Sequence, residues 1–172
     1  GEACGLRWSD IDWRQRALHI RRNVVKLSRQ PIMVKEPKTQ AGVRVVYLSK
    51  DMCKLLRAWE KECQWEKEQQ GDAELTQDDY LFQQPNGDPM VPCTFTYRFK
   101  MILRENGLPD DLNVHSLRHT NASMLIAQGV DVRTVAGLLG HAQPSTTLDI
   151  YSHAFDKNKR LAGQKLSGAM GL

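Results

Sequence analysis

The spacing of apolar residues divides the chain into a strand-rich first part and a helical remainder. Short β-branched runs predict strands at 17–25, 31–35 and 43–48, and the polar residues 39–42 predict the turn before the last strand. We expect the three segments to form a small three-stranded antiparallel sheet near the N-terminus. Gly42 is the turn residue that we expect to take a positive φ, because glycine carries no Cβ.

Helical periodicity dominates after residue 48. Ser49 is the expected N-cap of a long helix, whose apolar stripe consists of Met52, Leu55, Leu56, Trp59 and Cys63. A second helix is predicted at 94–105. Two more are predicted at 115–128 and, after an N-cap at Asp131, up to Gly140. In the third helix, Leu117, Met124 and Leu125 are expected to anchor the core, with His115 and Arg118 facing away from it. The predicted fold class is α+β and predominantly α-helical.

Composition narrows the function classes only a little. A chain of 172 residues with 41% hydrophobic residues is long enough for one domain with a substantial core. The net charge of +4 leans basic, but charge alone is more typical of a solvated surface than of nucleic-acid binding. No apolar run is long enough to cross a bilayer, and no signal peptide is recognisable.

The four cysteines, Cys4, Cys53, Cys63 and Cys93, have none of the spacings of zinc or redox motifs. They predict reduced core thiols in a cytoplasmic protein, with no metal. The opening residues 1–6 have the pattern of a helix tail. We therefore expect a fragment whose natural N-terminal part is missing.

The most informative chemistry lies in the helical part. His115, Arg118, His141 and Tyr151 together provide what is needed to hold a phosphodiester and attack it without a metal ion. A guanidinium matches two phosphate oxygens, an imidazole moves protons near neutral pH, and a phenol can become a covalent nucleophile. Taken singly, each has an ordinary interpretation as a helix-surface, capping or packing residue. The same holds for Lys38, which singly is a turn lysine.

The order and the neighbours of these residues carry more weight than the residues singly. His115-Ser116-Leu117-Arg118-His119-Thr120, Leu138-Leu139-Gly140-His141 and Thr146-Thr147-Leu148-Asp149-Ile150-Tyr151-Ser152-His153 resemble the signature of the tyrosine recombinases, the phage-integrase family. Residues 5–12 and 37–39 are also similar to that family's catalytic domain. The resemblance covers about residues 1–156 and is nearest to integrases of prophages and conjugative transposons.

The resemblance implies site-specific recombination, such as integration and excision of a mobile element, by cleavage and rejoining of DNA. Tyr151 would attack the scissile phosphate and form a 3′-phosphotyrosyl bond. Arg118 would clamp a non-bridging oxygen, and His115 would accept and donate the proton near the nucleophile. His141 would hydrogen-bond the phosphate in the transition state, and Lys38 would give a proton to the departing 5′-oxygen. No cofactor and no metal are implied.

The resemblance also implies the organisation of the protein. Residues 1–172 would form the C-terminal catalytic domain, and residues 156–172 would be a tail exchanged between protomers. The family's first catalytic arginine precedes a Gly-Glu pair, here Gly1-Glu2, so that arginine and the N-terminal DNA-binding domain would lie upstream. A phosphate site that lacks one donor loses roughly 10²–10³ in rate, so this chain alone is expected to be impaired.

The implied partners are double-stranded DNA recombination sites. The implied assembly is a homotetramer on DNA and a monomer without DNA, with an accessory DNA-bending or directionality factor and no membrane association. The location would be the bacterial cytoplasm. Lys35, Arg44 and Arg133 are candidate contacts to the DNA backbone, although solvated surface charge is the more ordinary interpretation of each.

Two alternatives remain open at this stage. Residues 123–141 have the pattern of a helix-turn-helix, which would make the protein a non-catalytic DNA-binding regulator. A type IB topoisomerase-like enzyme would use a similar site to relax DNA. A regulator has no need of Tyr151, and the neighbours of Tyr151 are more similar to those of integrases.

Overall fold

A computed structural model describes residues 1–37, 39–71 and 74–140 of the chain. The chain divides into two compact units, Gly1–Arg98 and Phe99–Leu172. Within the described residues, the helices are α1, Lys50–Gln70; α2, Pro92–Glu105; α3, Val114–Ala127; and α4, Val132–Leu139. The strands are β1, Ile11–Asp12; β2, Ala17–Ile20; β3, Asn23–Val25; β4, Met33–Lys35; and β5, Arg44–Tyr47. The predicted α+β, mainly helical class is confirmed.

The antiparallel sheet of the first unit has three strands, but they are not the three that the pattern predicted. Its order is β1-β2-β5, whereas β3 and β4 form a separate two-stranded sheet. The predicted strand 17–25 is therefore wrong as a single element. It is interrupted at Arg21 and Arg22, and the Arg22 guanidinium donates to both carboxylate oxygens of the buried Asp10 at 2.9 and 3.0 Å. A charge pair of this kind cannot be anticipated from strand propensity.

Helix α1 packs on the sheet of the first unit with three of the five residues of its predicted stripe. Leu56, Trp59 and Cys63 belong to the core cluster, in which the Trp59 indole donates to the Leu81 carbonyl at 2.7 Å. Met52 and Leu55, the N-terminal members of the predicted stripe, are 45% and 65% exposed. The cap at Ser49 is confirmed, since its hydroxyl accepts the amide of Met52 at 3.1 Å.

The core of the described second unit lies between α3 and α4, where Ala122, Ile126 and Val135 are fully buried. The predicted N-cap of α4 is confirmed, because the Asp131 carboxylate accepts the amide of Thr134 at 2.9 Å. Gly129 and Gly140 both take the left-handed conformation that ends a helix. Leu125 packs against this core as expected.

Leu117 and Met124 are not the core anchors that the pattern predicted, because they are 53% and 56% exposed. The residues that do fill the contact with α4 are Ala122 and Ile126, four positions apart on the same helix face.

The opening residues form a 3₁₀ helix at Ala3–Gly5 rather than the end of an α-helix, although Glu2 has helical dihedral angles. In the part of the chain that is described, no helix is both long and apolar enough to cross a membrane.

The cysteines are free thiols, as predicted, but only two belong to the core. Cys4 and Cys63 are buried, Cys53 is half-buried and Cys93 is exposed. Burial raises the pKa of both Cys4 and Cys63, the latter to about 11. The prediction of four core thiols was therefore wrong for Cys53 and Cys93.

Candidate active site

The helix that carries His115 and Arg118 begins at a reciprocal cap. The Asn113 side chain accepts the amide of Ser116 at 3.0 Å, and the Ser116 hydroxyl accepts the amide of Asn113 at 3.2 Å. This capping box fixes the first turn of α3, in which the exposed His115 lies. Asn113 was not among the predicted caps, although an Asn followed by Ser three residues later is a sequence pattern that indicates one.

Arg118 lies one turn beyond His115 and is half-buried. Its Nη2 donates to the carbonyl oxygen of Leu139 at the end of α4. The prediction that Arg118 faces away from the packing surface was therefore wrong. Its guanidinium joins α3 to the last turn of α4, two residues before His141 in sequence.

This bond places a permanent positive charge at the carboxyl end of α4. The unsatisfied carbonyls at a helix C-terminus carry partial negative charge, so they favour a cation there. A guanidinium has five N–H donors in a planar fork, so it can form more than one hydrogen bond at a time. The arrangement therefore pre-orients Arg118 rather than leaving it a free surface side chain.

A second group of connected residues in the first unit is centred on Arg44 at the start of β5. Arg44 forms a two-pronged ion pair with Glu2, with nitrogen–oxygen distances of 2.9 and 2.8 Å, and also donates to the Gly42 carbonyl at 3.1 Å. The Arg44 side chain is only 12% exposed. The sequence had suggested two interpretations of Arg44, a solvated surface charge and a contact to the DNA backbone. Its burial and its ion pair with Glu2 fit neither of them.

Gly42 does not have the positive φ that was predicted for it. It lies in a short 3₁₀ helix, Gln40–Gly42, and its α-carbon packs against the Pro37 ring, where a Cβ would collide. The glycine is needed for close approach rather than for backbone freedom. This contact brings Gly42 against Pro37, the described residue that precedes Lys38 in sequence.

The Gly1 carbonyl accepts the amide of Val24 at 3.2 Å, so strand β3 also holds the opening residues. At the start of β5, hydrogen bonds from Arg44 connect it with both Glu2 and Gly42. Sequence reasoning missed these contacts, because Glu2 and Arg44 are 42 residues apart.

The remaining candidate residues divide between described and undescribed parts of the chain. Three of the predicted catalytic residues lie outside the described residues, namely Lys38, His141 and Tyr151. The tail 156–172 lies outside them as well. Lys35 and Arg133 are exposed, in agreement with the expectation of solvated charge. Among residues 1–37, 39–71 and 74–140, no cluster of His, Cys, Asp or Glu has the composition of a metal site.

Comparison with known proteins gives one consistent result. The phage integrase family matches residues 1–158. The ICEBs1 integrase of Bacillus subtilis (strain 168) is 31% identical over 166 residues, which are 96% of this chain and 44% of that protein. A XerC-like tyrosine recombinase of Caldanaerobacter subterraneus subsp. tengcongensis is 29% identical and is matched over 97% of this chain and 45% of its own length.

Solved structures agree on the fold. The Tn1549 transposon integrase in complex with transposon right end DNA has a TM-score of 0.77 at 24% identity, with 95% of this chain and 53% of that chain covered. The XerA recombinase has a TM-score of 0.68 at 25% identity, with 96% and 50% covered. The chain thus spans about half the length of the relatives it matches.

The family match includes α3 and α4 together with the strands that precede them. The helix pair that resembled a DNA-binding helix-turn-helix therefore lies within the region that the family matches, rather than outside it as a separate module. On the match over residues 1–158, this chain belongs to the phage integrase family, the tyrosine recombinases.

Proposed function

We propose that this chain is the catalytic part of an enzyme that performs site-specific DNA recombination. Membership of the phage integrase family and similarity to an integrase and a tyrosine recombinase support this activity. The observation that carries the proposal is the bond from Arg118 to the Leu139 carbonyl. It holds Arg118, which we propose as the phosphate-binding arginine, at the helix end that precedes His141 in sequence.

In the proposed reaction, the Tyr151 phenol oxygen attacks the scissile phosphorus and the 5′-oxygen of the next nucleotide departs. His115 takes the phenol proton, and Lys38 gives a proton to the departing 5′-oxygen. One ester bond replaces another, so the phosphodiester energy is kept for rejoining. Neither a nucleotide cofactor nor a metal is needed in this scheme.

Charge develops on the non-bridging oxygens during the attack. Arg118 and His141 would offer donors to these oxygens, which lowers the energy of the transition state. The described groups agree with this division, since Arg118 is held by a helix end and His115 is exposed one turn away on α3. The bond from Arg44 to Glu2 would steady the segment that, in the family pattern, follows the first catalytic arginine.

The proposed partners are double-stranded recombination sites, with four protomers on two sites and a monomer in the absence of DNA. Residues 156–172 would be passed to a neighbouring protomer, and an accessory DNA-bending or directionality factor would assist. The proposed location is the bacterial cytoplasm. A DNA-binding domain and the first catalytic arginine would be supplied by sequence upstream of Gly1.

The test compares the 172-residue chain with a form extended upstream of Gly1. Each is incubated with a nicked recombination site of the element that encodes it, and covalent protein–DNA adducts are separated on a denaturing gel. The extended form should accumulate the adduct, and the shorter chain should form far less of it.

Tyr151→Phe in the extended form should abolish the adduct while leaving DNA binding intact. Binding without any adduct in the unchanged protein would instead indicate a regulator. Relaxation of supercoiled DNA without a specific site would indicate a topoisomerase.

A further inference from the structure

A cationic groove of about 630 Å³ lies in the first unit, between the β1–β2 turn and the N-terminal half of α1. Five basic side chains line it, and none of its lining residues is acidic: Arg16, Lys50, Lys54, Arg57 and Lys61. The four contributed by α1 recur at intervals of four, three and four residues, so they share one helix face. Its walls are mostly carbon, including the Trp13 ring and Ala58. We call this surface the basic groove.

The Arg57 side chain and the Arg16 backbone of the basic groove are both held in defined conformations. The guanidinium carbon of Arg57 lies 3.6 Å from the centroid of the Trp13 ring, a stacked cation–π arrangement. Arg16 has a φ of 53°, a left-handed conformation that is uncommon for a residue other than glycine. Backbone conformations of this kind persist where surrounding structure enforces them, often at sites that bind something.

The local energetics also point away from a purely structural role. Lys50 occupies the first turn of α1, where the helix dipole disfavours a cation. Lys54 pairs with Asp51 at 3.0 Å and Arg57 with Glu60 at 2.6 Å, but the first of these pairs is fully exposed and therefore weak. Among the described residues, Arg16, Lys50 and Lys61 form no ion pair.

The basic groove lies at the end of the sheet away from the Lys38 loop. Strand β5 begins at Arg44, which pairs with Ile20 of β2. It ends at Tyr47, which pairs with Ala17 at the other end of β2. The amide of Leu48 then donates to the Arg16 carbonyl at 2.7 Å. Three residues of strand correspond to about 10 Å, so the basic groove is displaced from the loop proposed to act on DNA.

We propose that the basic groove binds an acidic amphipathic segment of a partner protein. Carboxylates of that segment would pair with Lys50 and Lys61 at the rim, and an apolar side chain would rest on the Trp13 ring and Ala58. A DNA backbone offers phosphates and sugars but no aliphatic side chain that could extend onto the carbon-rich walls, so the protein segment fits better. The proposal does not depend on the recombination chemistry, because it concerns different residues and another end of the sheet.

The probe is a short fluorescein-labelled peptide in which glutamate and leucine alternate, titrated into the 172-residue chain and followed by fluorescence anisotropy. The double variant K50E/K61E should weaken its binding at least tenfold, since two attractive pairs become repulsive. The matched control is K26E/K35E, which makes the same charge change at exposed positions of the β3–β4 hairpin and should leave binding unchanged. Thermal unfolding verifies that both variants fold.

Cys53 supplies a site-specific readout, because it lines the basic groove whereas the exposed Cys93 does not. Bound peptide should slow alkylation of Cys53 and leave that of Cys93 unchanged, as measured by mass spectrometry. A58E, which places a carboxylate on the groove wall at an exposed helix position, should also abolish binding.

Three results would overturn the proposal. The first is that an all-glutamate peptide binds as tightly as the peptide of alternating glutamate and leucine. The second is that K26E/K35E weakens peptide binding as much as K50E/K61E does. The third is that K50E/K61E loses as much duplex DNA binding as peptide binding. The last result would assign the basic groove to nucleic acid.

Discussion

Arg44 and Glu2 form a two-pronged ion pair across 42 residues of sequence, with nitrogen–oxygen distances of 2.8 and 2.9 Å. The pair joins the opening residues of the chain to the first residue of β5. It is partly shielded, because the Arg44 side chain is 12% and the Glu2 side chain 35% exposed. The carbonyl of Gly42 accepts a further bond from Arg44, so one guanidinium also holds the end of the Lys38 loop.

Arg44→Lys should lower the free energy of unfolding by about 1–2 kcal/mol, because an ammonium cannot form both bonds and the partly buried carboxylate loses a donor. Glu2→Gln should cost a similar amount. Urea unfolding of both single variants and the double variant gives the coupling energy. Strictly additive losses would mean that the two side chains do not interact.

Arg118→Lys should reduce formation of the covalent adduct by roughly 10²–10³ in the extended protein, since lysine keeps the charge but loses the planar fork. DNA binding should change much less. The matched control is Arg133→Lys on the exposed face of α4, which should leave the cleavage rate unchanged. An Arg118→Lys protein that cleaves at the original rate would remove Arg118 from the proposed mechanism.

Gly42→Ala should destabilise the first unit by about 1–3 kcal/mol, because the new Cβ would overlap the Pro37 ring. It should also slow cleavage, since Pro37 precedes the proposed general acid Lys38. Gly137→Ala is the contrasting substitution. Its Cβ would meet open space within α4, so helix propensity should raise stability by up to about 1 kcal/mol. Calorimetric unfolding compares the two, and equal effects would contradict the predicted overlap.

Asp79 should contribute to the pH dependence of stability. Burial alone would raise the pKa of its carboxyl group. The Lys67 ammonium at 2.9 Å and the Thr76 amide at 2.7 Å outweigh burial and lower the pKa below 3.8. A lowered pKa in the folded state means that the contribution is complete above the unfolded pKa and disappears as pH falls through the folded value.

Asp79→Asn should therefore be less stable at neutral pH, by about 1 kcal/mol. The difference from the original protein should shrink as the pH falls below 3.8 and vanish only below the lower pKa that Asp79 has in the folded state. Urea unfolding over a series of pH values measures this difference, with the exposed Asp111→Asn as control. A gap that persists unchanged in strong acid would show that ionisation of Asp79 is not its cause.

Thiol modification should follow burial. A soluble disulfide reagent at mildly alkaline pH should label the exposed Cys93 first and the half-buried Cys53 second. Cys4 and Cys63 should react only after unfolding, because burial raises the pKa of each and blocks access. Peptide mass mapping at successive times tests the order. Early labelling of Cys63 would mean that its environment opens readily.

Sequence by itself determined the features that depend on neighbours a few residues apart. The cap of α1 at Ser49, the cap of α4 at Asp131 and the break at Gly129 all appear where the pattern predicted them. Each depends on a hydrogen bond or a backbone conformation within a single turn, so the local residue types suffice. The family motifs were readable for the same reason, since they are short and occur in a fixed order.

Only the tertiary structure decided which groups meet across long separations. The predicted strand is interrupted at Arg22, which pairs with Asp10. Leu117 and Met124 are exposed, and Arg118 donates a hydrogen bond to the Leu139 carbonyl. Helical periodicity fixes the faces of a helix but not which of them another element will cover. That choice depends on the packing of whole elements and on charge pairs between distant residues, and neither is encoded within one turn or one strand.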